Sequence, residues 1–87
     1  TSVYPNPFNP ATTISFSLAA PSNVTIAVYD VRGALVRVLT SGTIPGGAHR
    51  VDWQGLDDAG RAVSSGVYFV RMVVGDFEKT RKMVMLK

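Results

Sequence analysis

Residues 13–33 read TISFSLAAPSNVTIAVYDVRG, and this stretch decides the fold. Ile14, Phe16 and Leu18 alternate with Thr13, Ser15 and Ser17. That is the period of two expected of a strand with one buried and one wet face. Pro21-Ser22-Asn23 breaks the run, and Val24, Ile26 and Val28 resume it against Thr25, Ala27 and Tyr29. Asp30-Val31-Arg32-Gly33 then supplies a four-residue hairpin loop whose glycine can take positive φ.

Working outward, a third strand is predicted over Leu35 to Leu39. Arg37 shares parity with Leu35 and Leu39, whereas Val36 and Val38 make a cleaner apolar pair, a conflict that a β-bulge would resolve. After Pro45-Gly46-Gly47, Val51 and Trp53 alternate with Arg50, Asp52 and Gln54, which sends the tryptophan inward from a fourth strand. A turn-rich loop follows from Gly55 to Gly60. Val67 to Val74 is almost continuously apolar, and Arg71 sets its facing by pushing Tyr68, Val70, Met72 and Val74 inward. Gly75-Asp76 turns the chain into a last strand, Lys79 to Leu86. Its end, Met83-Val84-Met85-Leu86, is apolar on both parities, which requires coverage on two sides or leaves a sticky edge.

No stretch carries a helical period over ten or more residues. In the lead-in, Pro5, Pro7 and Pro10 each lack a donor N–H and bias the preceding residue to extended geometry. Six or seven short strands, turn signals every eight to twelve residues and a tryptophan in a middle strand predict an all-β, Ig-like antiparallel sandwich. The 87 residues allow one domain, 1–87, with 1–11 as an extended proline-rich lead-in. Cysteine is absent, so no disulfide or thiolate metal site supplements the core, although this does not settle the compartment. No apolar run reaches the length of a membrane helix, and no charged n-region precedes an apolar stretch, so neither a transmembrane segment nor a signal peptide is expected. A chain beginning at Thr1 in a loop-like stretch reads as a module behind a longer precursor.

The candidate sites are few. His49 has no second histidine or cysteine with which to share a metal, and no serine nucleophile stands in a recognisable elbow near it. Asp57-Asp58 could offer two carboxylates to a calcium ion, but the alternating acidic pattern and terminal glutamate of a calcium loop are missing, which favours a plain turn. Ser64-Ser65-Gly66 leads into no helix. Trp53, Tyr4, Tyr29 and Tyr68 do not form a stacking platform, since parity buries Trp53 and Tyr68 and leaves Tyr29 alone outward; no nucleic-acid partner is expected. No catalytic, cofactor-binding or metal residue is therefore assigned. Net charge is +3, with Arg71, Lys79, Arg81, Lys82 and Lys87 against only Asp76 and Glu78 in the last third. The two-faced apolar strand between those cations is the one feature that folding does not explain, and it is the candidate interaction element.

Tyr4-Pro5-Asn6-Pro7-Phe8-Asn9-Pro10, Val28-Tyr29-Asp30-Val31-Arg32-Gly33, Trp53-Gln54-Gly55, Ser65-Gly66-Val67-Tyr68-Phe69 and Lys82-Met83-Val84-Met85-Leu86-Lys87 occur in an order and at a spacing that resemble the type A carboxy-terminal sorting domains of the type IX secretion system. The resemblance covers essentially the whole chain. From Tyr29-Asp30 to Tyr68 the sequence is also similar to the Ig-like domain of flagellar hook-capping proteins. The resemblance implies a non-catalytic address label without cofactor, fused behind an N-terminal cargo domain. Its implied partners are the type IX machinery and a sortase-like surface peptidase. Its implied location is the periplasm in transit, then the cell surface or the medium. Recognition carries over to Lys82, Met83, Val84, Met85, Leu86 and Lys87. Gln54 departs from the family, which usually has an acidic residue after the tryptophan. An Ig-like accessory module that binds a glycan or protein, or serves as a spacer, stays open as the alternative.

Overall fold

Alternation becomes strand wherever the sequence shows it. A computed structural model describes residues 1–87 and contains seven strands: β1 Ser2–Tyr4, β2 Thr12–Leu18, β3 Ser22–Asp30, β4 Leu35–Ile44, β5 Gly47–Trp53, β6 Gly66–Val74 and β7 Phe77–Met85. They form two sheets, β1-β2-β5 and β4-β3-β6-β7, with every neighbouring pair antiparallel. This is the expected Ig-like β-sandwich.

Ile14, Phe16 and Trp53 of the smaller sheet meet Val24, Ile26, Val28, Tyr68, Val70, Met72, Met83 and Met85 of the larger one. Each such side chain contributes about 1.5–3 kcal/mol on burial. Three aromatic rings anchor one end. Trp53 lies edge-on to Tyr68 at 5.2 Å and to Phe8 at 5.6 Å. The indole N–H donates to the Leu56 carbonyl at 2.9 Å, and the Tyr68 hydroxyl donates to the Ser64 carbonyl at 2.7 Å, so neither polar group is buried unpaired. The second bond has the geometry of the tyrosine corner found in Ig-like sandwiches.

The facing of β4 is settled by two bulges. Against β3, Ile26 pairs with Thr40 and Ala27 with Val38, which loops out Leu39; Val28 pairs with Arg37 and Tyr29 with Leu35, which loops out Val36. Val36 and Leu39 consequently pack on the core, while Leu35 and Val38 face solvent. The pair Val36 and Val38 is split, and the strand continues five residues beyond Leu39, to Ile44. Ala27 is buried although its parity is outward: it sits on the central strand between Val38 and Arg71, whose longer side chains shield it.

The lead-in does more than approach the domain. Ser2–Tyr4 adds strand β1 to β2, and Phe8 enters the core with 2% of its surface exposed. Thr12, buried at the start of β2, is satisfied by donating from Oγ1 to the Pro5 carbonyl at 2.6 Å.

Candidate partner-recognition site

Facing alternates along the last strand, and this divides the six candidate residues. Met83 and Met85 point into the core, at 0% and 1% exposure. Val84 is half-buried on the opposite face, and Lys82, Leu86 and Lys87 lie exposed, Leu86 at 53%. The side chains within reach of a partner are therefore Lys82, Leu86 and Lys87, with part of Val84. The two methionines hold the strand in place.

The apolar pattern requires coverage on two sides or leaves a sticky edge, and for residues 82–86 the structure shows coverage. β6 lies along one side of β7. On the other side, Asn6 and Phe8 occupy the edge. The Asn6 carboxamide imitates a peptide unit: Oδ1 accepts the Val84 N–H at 3.0 Å, and Nδ2 donates to the Lys82 carbonyl at 2.9 Å. Phe8 donates its N–H to the Val84 carbonyl and accepts the Leu86 N–H, both at 2.9 Å, making a parallel bridge. One residue further, the Lys87 N–H donates to Ser65 Oγ at 3.1 Å. A proline-rich segment supplies few donors of its own, so a side-chain amide and one well-placed backbone do the pairing. Burial of Phe8 against Trp53 holds that backbone in position.

The opposite edge strand, β4, is covered at Val36 and Val38. Asp58 sits beside β4, donating its N–H to the Val36 carbonyl at 3.0 Å and accepting the Val38 N–H on Oδ1 at 3.1 Å. Its neighbour Asp57 folds the loop over itself. Asp57 Oδ1 accepts the N–H groups of Ala59 and Arg61, and the Asp57 N–H donates to the Arg61 carbonyl. The hairpin loop at Asp30 repeats this arrangement, with Oδ1 accepting from Arg32 and Ala34 and the Asp30 N–H donating to the Ala34 carbonyl. Gly33 at φ +84° and Gly60 at φ +80° stand three residues after each aspartate, where only glycine turns without strain. These backbone donors hold both carboxyl groups below their ordinary values, through the Ala34 N–H first for Asp30 and the Arg61 N–H first for Asp57. Asp57 and Asp58 thus each have a structural occupation, the turn and the sheet edge.

His49 stacks on Phe16 at 5.5 Å, and its Nε2 lies 2.7 Å from the Pro45 carbonyl, which puts a ring proton on that nitrogen. Ser65 serves the chain terminus and Ser64 serves Tyr68 through its carbonyl. Of the four aromatics weighed as a platform, Trp53 and Tyr68 are buried, Tyr29 is half-buried and Tyr4 stands exposed on the outer strand. Sequence reasoning missed Asn6 and Phe8. The only signal for them was their place in the proline-rich motif.

A seven-stranded sandwich with a tyrosine corner and a last strand clasped by its own lead-in belongs to the Ig-like all-β class. The chain matches the FlgD Ig-like domain over residues 5–76 and belongs to that family. Among solved structures it is similar to dimeric latent PorU from Porphyromonas gingivalis, with a TM-score of 0.78 and 25% identity over 98% of this chain and 9% of that one. It is similar to FlgD from P. aeruginosa, with a TM-score of 0.65 and 27% identity over 85% of this chain and 57% of that one. PorZ, described as an essential surface component of the type IX secretion system of P. gingivalis, shares the fold, with a TM-score of 0.68 and 22% identity over 99% of this chain and 11% of that one. The chain thus spans about a tenth of PorU and PorZ and just over half of that FlgD. No curated protein sequence matches it. The relation expected from the sequence, to type IX proteins and hook-capping proteins together, is what these likenesses show.

Proposed function

We propose that this domain is a non-catalytic sorting domain that directs an attached cargo across the outer membrane through the type IX secretion system, with Lys82–Lys87 as its recognition element. One observation carries the reading. Two of the stretches that carry the resemblance to the sorting-domain family, Tyr4–Pro10 and Lys82–Lys87, lie more than 70 positions apart in the sequence yet form one hydrogen-bonded unit through Asn6 and Phe8. A label read at its last strand needs that strand presented in one fixed geometry, and the clasp provides it. The likeness to part of PorU over nearly the whole chain supports the same reading. On it, a cargo precedes Thr1, the domain passes through the periplasm, and a sortase-like peptidase separates cargo from label at the surface.

A receptor would read the exposed Lys82, Leu86 and Lys87, or take the place of Asn6 and Phe8 at the edge by strand addition. Basic flanks would speed its encounter if it is acidic. The test fuses residues 1–87 behind a periplasmic signal and a fluorescent reporter in a bacterium with type IX machinery. Deleting Met83 to Lys87 would also remove two core side chains, so the informative variant is Leu86→Asp with Lys87→Glu, both at exposed positions. Surface signal from the parent that falls in the variant is expected. Reporter retained in the periplasm with the intact domain would move the reading to the second one, an Ig-like spacer or binding module. The FlgD match favours that second reading, because it ends at Asp76, before β7 begins.

A further inference from the structure

On the outer face of the larger sheet, Leu35, Tyr29, Phe69 and Lys82 are successive cross-strand partners from β4 to β7 and form one row across all four strands. On one flank of this row Val67 pairs with Val84, and on the other Val38 pairs with Ala27. Alternation carries Leu86 to the side of Val84. Leu35, Val38 and Leu86 are 51%, 41% and 53% exposed, and Tyr29, Phe69, Val67 and Val84 are half-buried. An apolar stripe therefore crosses the sheet, and the last-strand residues within reach of a partner, Lys82, Val84 and Leu86, are only one end of it.

Free charge sits at that same end. Lys82 has no carboxylate within ion-pair distance, whereas Arg71, the other cation at an outward position, is taken by Glu78 at 2.6 Å. Glu78 is the only acidic residue among the outward positions of these four strands. The face thus ends in one cation whose counterpart the chain does not supply.

We infer that this face docks the surface of a folded protein partner, which lays apolar side chains over Leu35, Tyr29 and Phe69 and brings a carboxylate to Lys82. The inference rests on the sorting reading and widens its recognition element from one strand to a sheet face. Backbone N–H and C=O groups within a sheet are spent on neighbouring strands, so the face offers an extended peptide no partners for its own. A partner whose backbone is already paired by its own fold gives up nothing there and gains the apolar contact. The unpaired lysine beside Phe69 selects an acidic counterpart. A second copy of this chain does not provide one. In a twofold pair of these faces centred between Tyr29 and Phe69, Lys82 falls over Leu35 or over its own equivalent, and Glu78 is held by Arg71. An anionic membrane is held by clusters of cations, and this face presents a single free one.

The experiment uses the surface-delivery fusion of residues 1–87, with photoreactive benzoylphenylalanine placed at Leu35, at Leu86 or, on the opposite sheet, at Ser17. Leu35 and Leu86 should give an adduct with the same protein during export, and Ser17 none. Leu35→Glu with Val38→Glu should lower surface signal about tenfold, as loss of two apolar contacts predicts. Lys82→Glu should lower it as well and Lys82→Arg restore it, while Ser17→Glu stays at the parent level. Spectra of the ¹⁵N-labelled 87-residue chain report whether each variant is folded. Leu35→Thr with Val38→Thr carries the test if the glutamates unfold β4, since threonine suits a strand. Failure of the parent fusion to reach the surface would overturn the sorting reading and this inference with it. Delivery that is lost in Leu86→Asp with Lys87→Glu but intact in the folded Leu35 and Val38 variants, or in Lys82→Glu, would overturn this inference alone. So would an adduct with a second copy of the chain, or binding to phosphatidylglycerol vesicles that disappears with Leu35→Glu.

Discussion

The Asn6 side chain accepts the amide hydrogen of Val84 at 3.0 Å, across 78 positions of sequence. This bond and its companion to the Lys82 carbonyl make the last strand dependent on the first turn of the chain. Asn6→Ala should therefore speed hydrogen exchange at the Val84 amide, while Val70 in the middle of β6 keeps its protection. Because the bond is solvent-exposed, the stability loss should stay at the low end of the roughly 0.5–1.5 kcal/mol typical of a hydrogen bond. Asn6→Asp keeps the acceptor for Val84 and loses the donor to Lys82, so its Val84 exchange should lie between the two. Unchanged exchange at Val84 in the alanine variant would show that the amide does not hold the edge.

Phe8 is the other half of the clasp, and its ring is a core residue. Phe8→Ala should cost about 3–5 kcal/mol, the range for truncating a buried phenylalanine. That is a large share of the roughly 5–15 kcal/mol by which small domains are stable. Tyr4→Ala, four residues earlier on an outer strand and 78% exposed, should lie within about 0.5 kcal/mol of the parent. Urea melts of the two variants test the contrast, and equal costs would mean that Phe8 does not anchor the lead-in in solution.

Gly55 follows Trp53 by two residues with φ at +71°, and a Cβ there would come within 2.8 Å of Met85 Sδ and 3.3 Å of the Pro10 carbonyl oxygen. Gly55→Ala thus combines a left-handed backbone, worth about 1–2 kcal/mol for a residue with a Cβ, with displacement of Met85. Gly60→Ala has a similar φ and nothing within 4 Å, so it isolates the backbone part. The first variant should melt clearly below the second. Equal melting temperatures would show that Met85 yields at no cost.

The two aspartate turns predict an acid limb. Asp30 and Asp57 are held below the ordinary value of 3.8, chiefly by backbone N–H donors, and Glu78 is held down by Arg71 at 2.6 Å. A carboxyl group whose value is lower folded than unfolded adds stability that is full above its unfolded value and is lost as pH falls through its folded one. Melting temperature should accordingly drop as pH goes from about 5 to below the unfolded values near 4. Asp30→Asn and Asp57→Asn keep an oxygen acceptor but cannot titrate, so each should flatten part of that limb. Identical acid limbs in parent and double variant would place the acid sensitivity elsewhere.

Much of the fold was legible because it is local. Alternation in Thr13–Leu18, Val24–Tyr29 and Val67–Val74 marks strands whatever lies around them, and the aspartate-to-glycine spacing marks the turns. The bulges in β4 were legible only as a conflict between Arg37 and its neighbours, since apolar residues on both parities leave two facings equal until a partner strand sets the register. The candidate site was legible as a two-faced strand, Met83–Leu86. Which of its residues face a partner was not.

The sequence alone determined that this chain is an all-β sandwich with its tryptophan inside, because side-chain period, proline and glycine act within a few residues of themselves. Only the tertiary structure decided that Phe8 is core, that Asn6 stands in for a strand along β7, and that Met83 and Met85 are unavailable at the surface. Those outcomes depend on contacts between the two ends of the chain, and no local pattern of apolar and polar residues encodes which distant edge a proline-rich segment will cover.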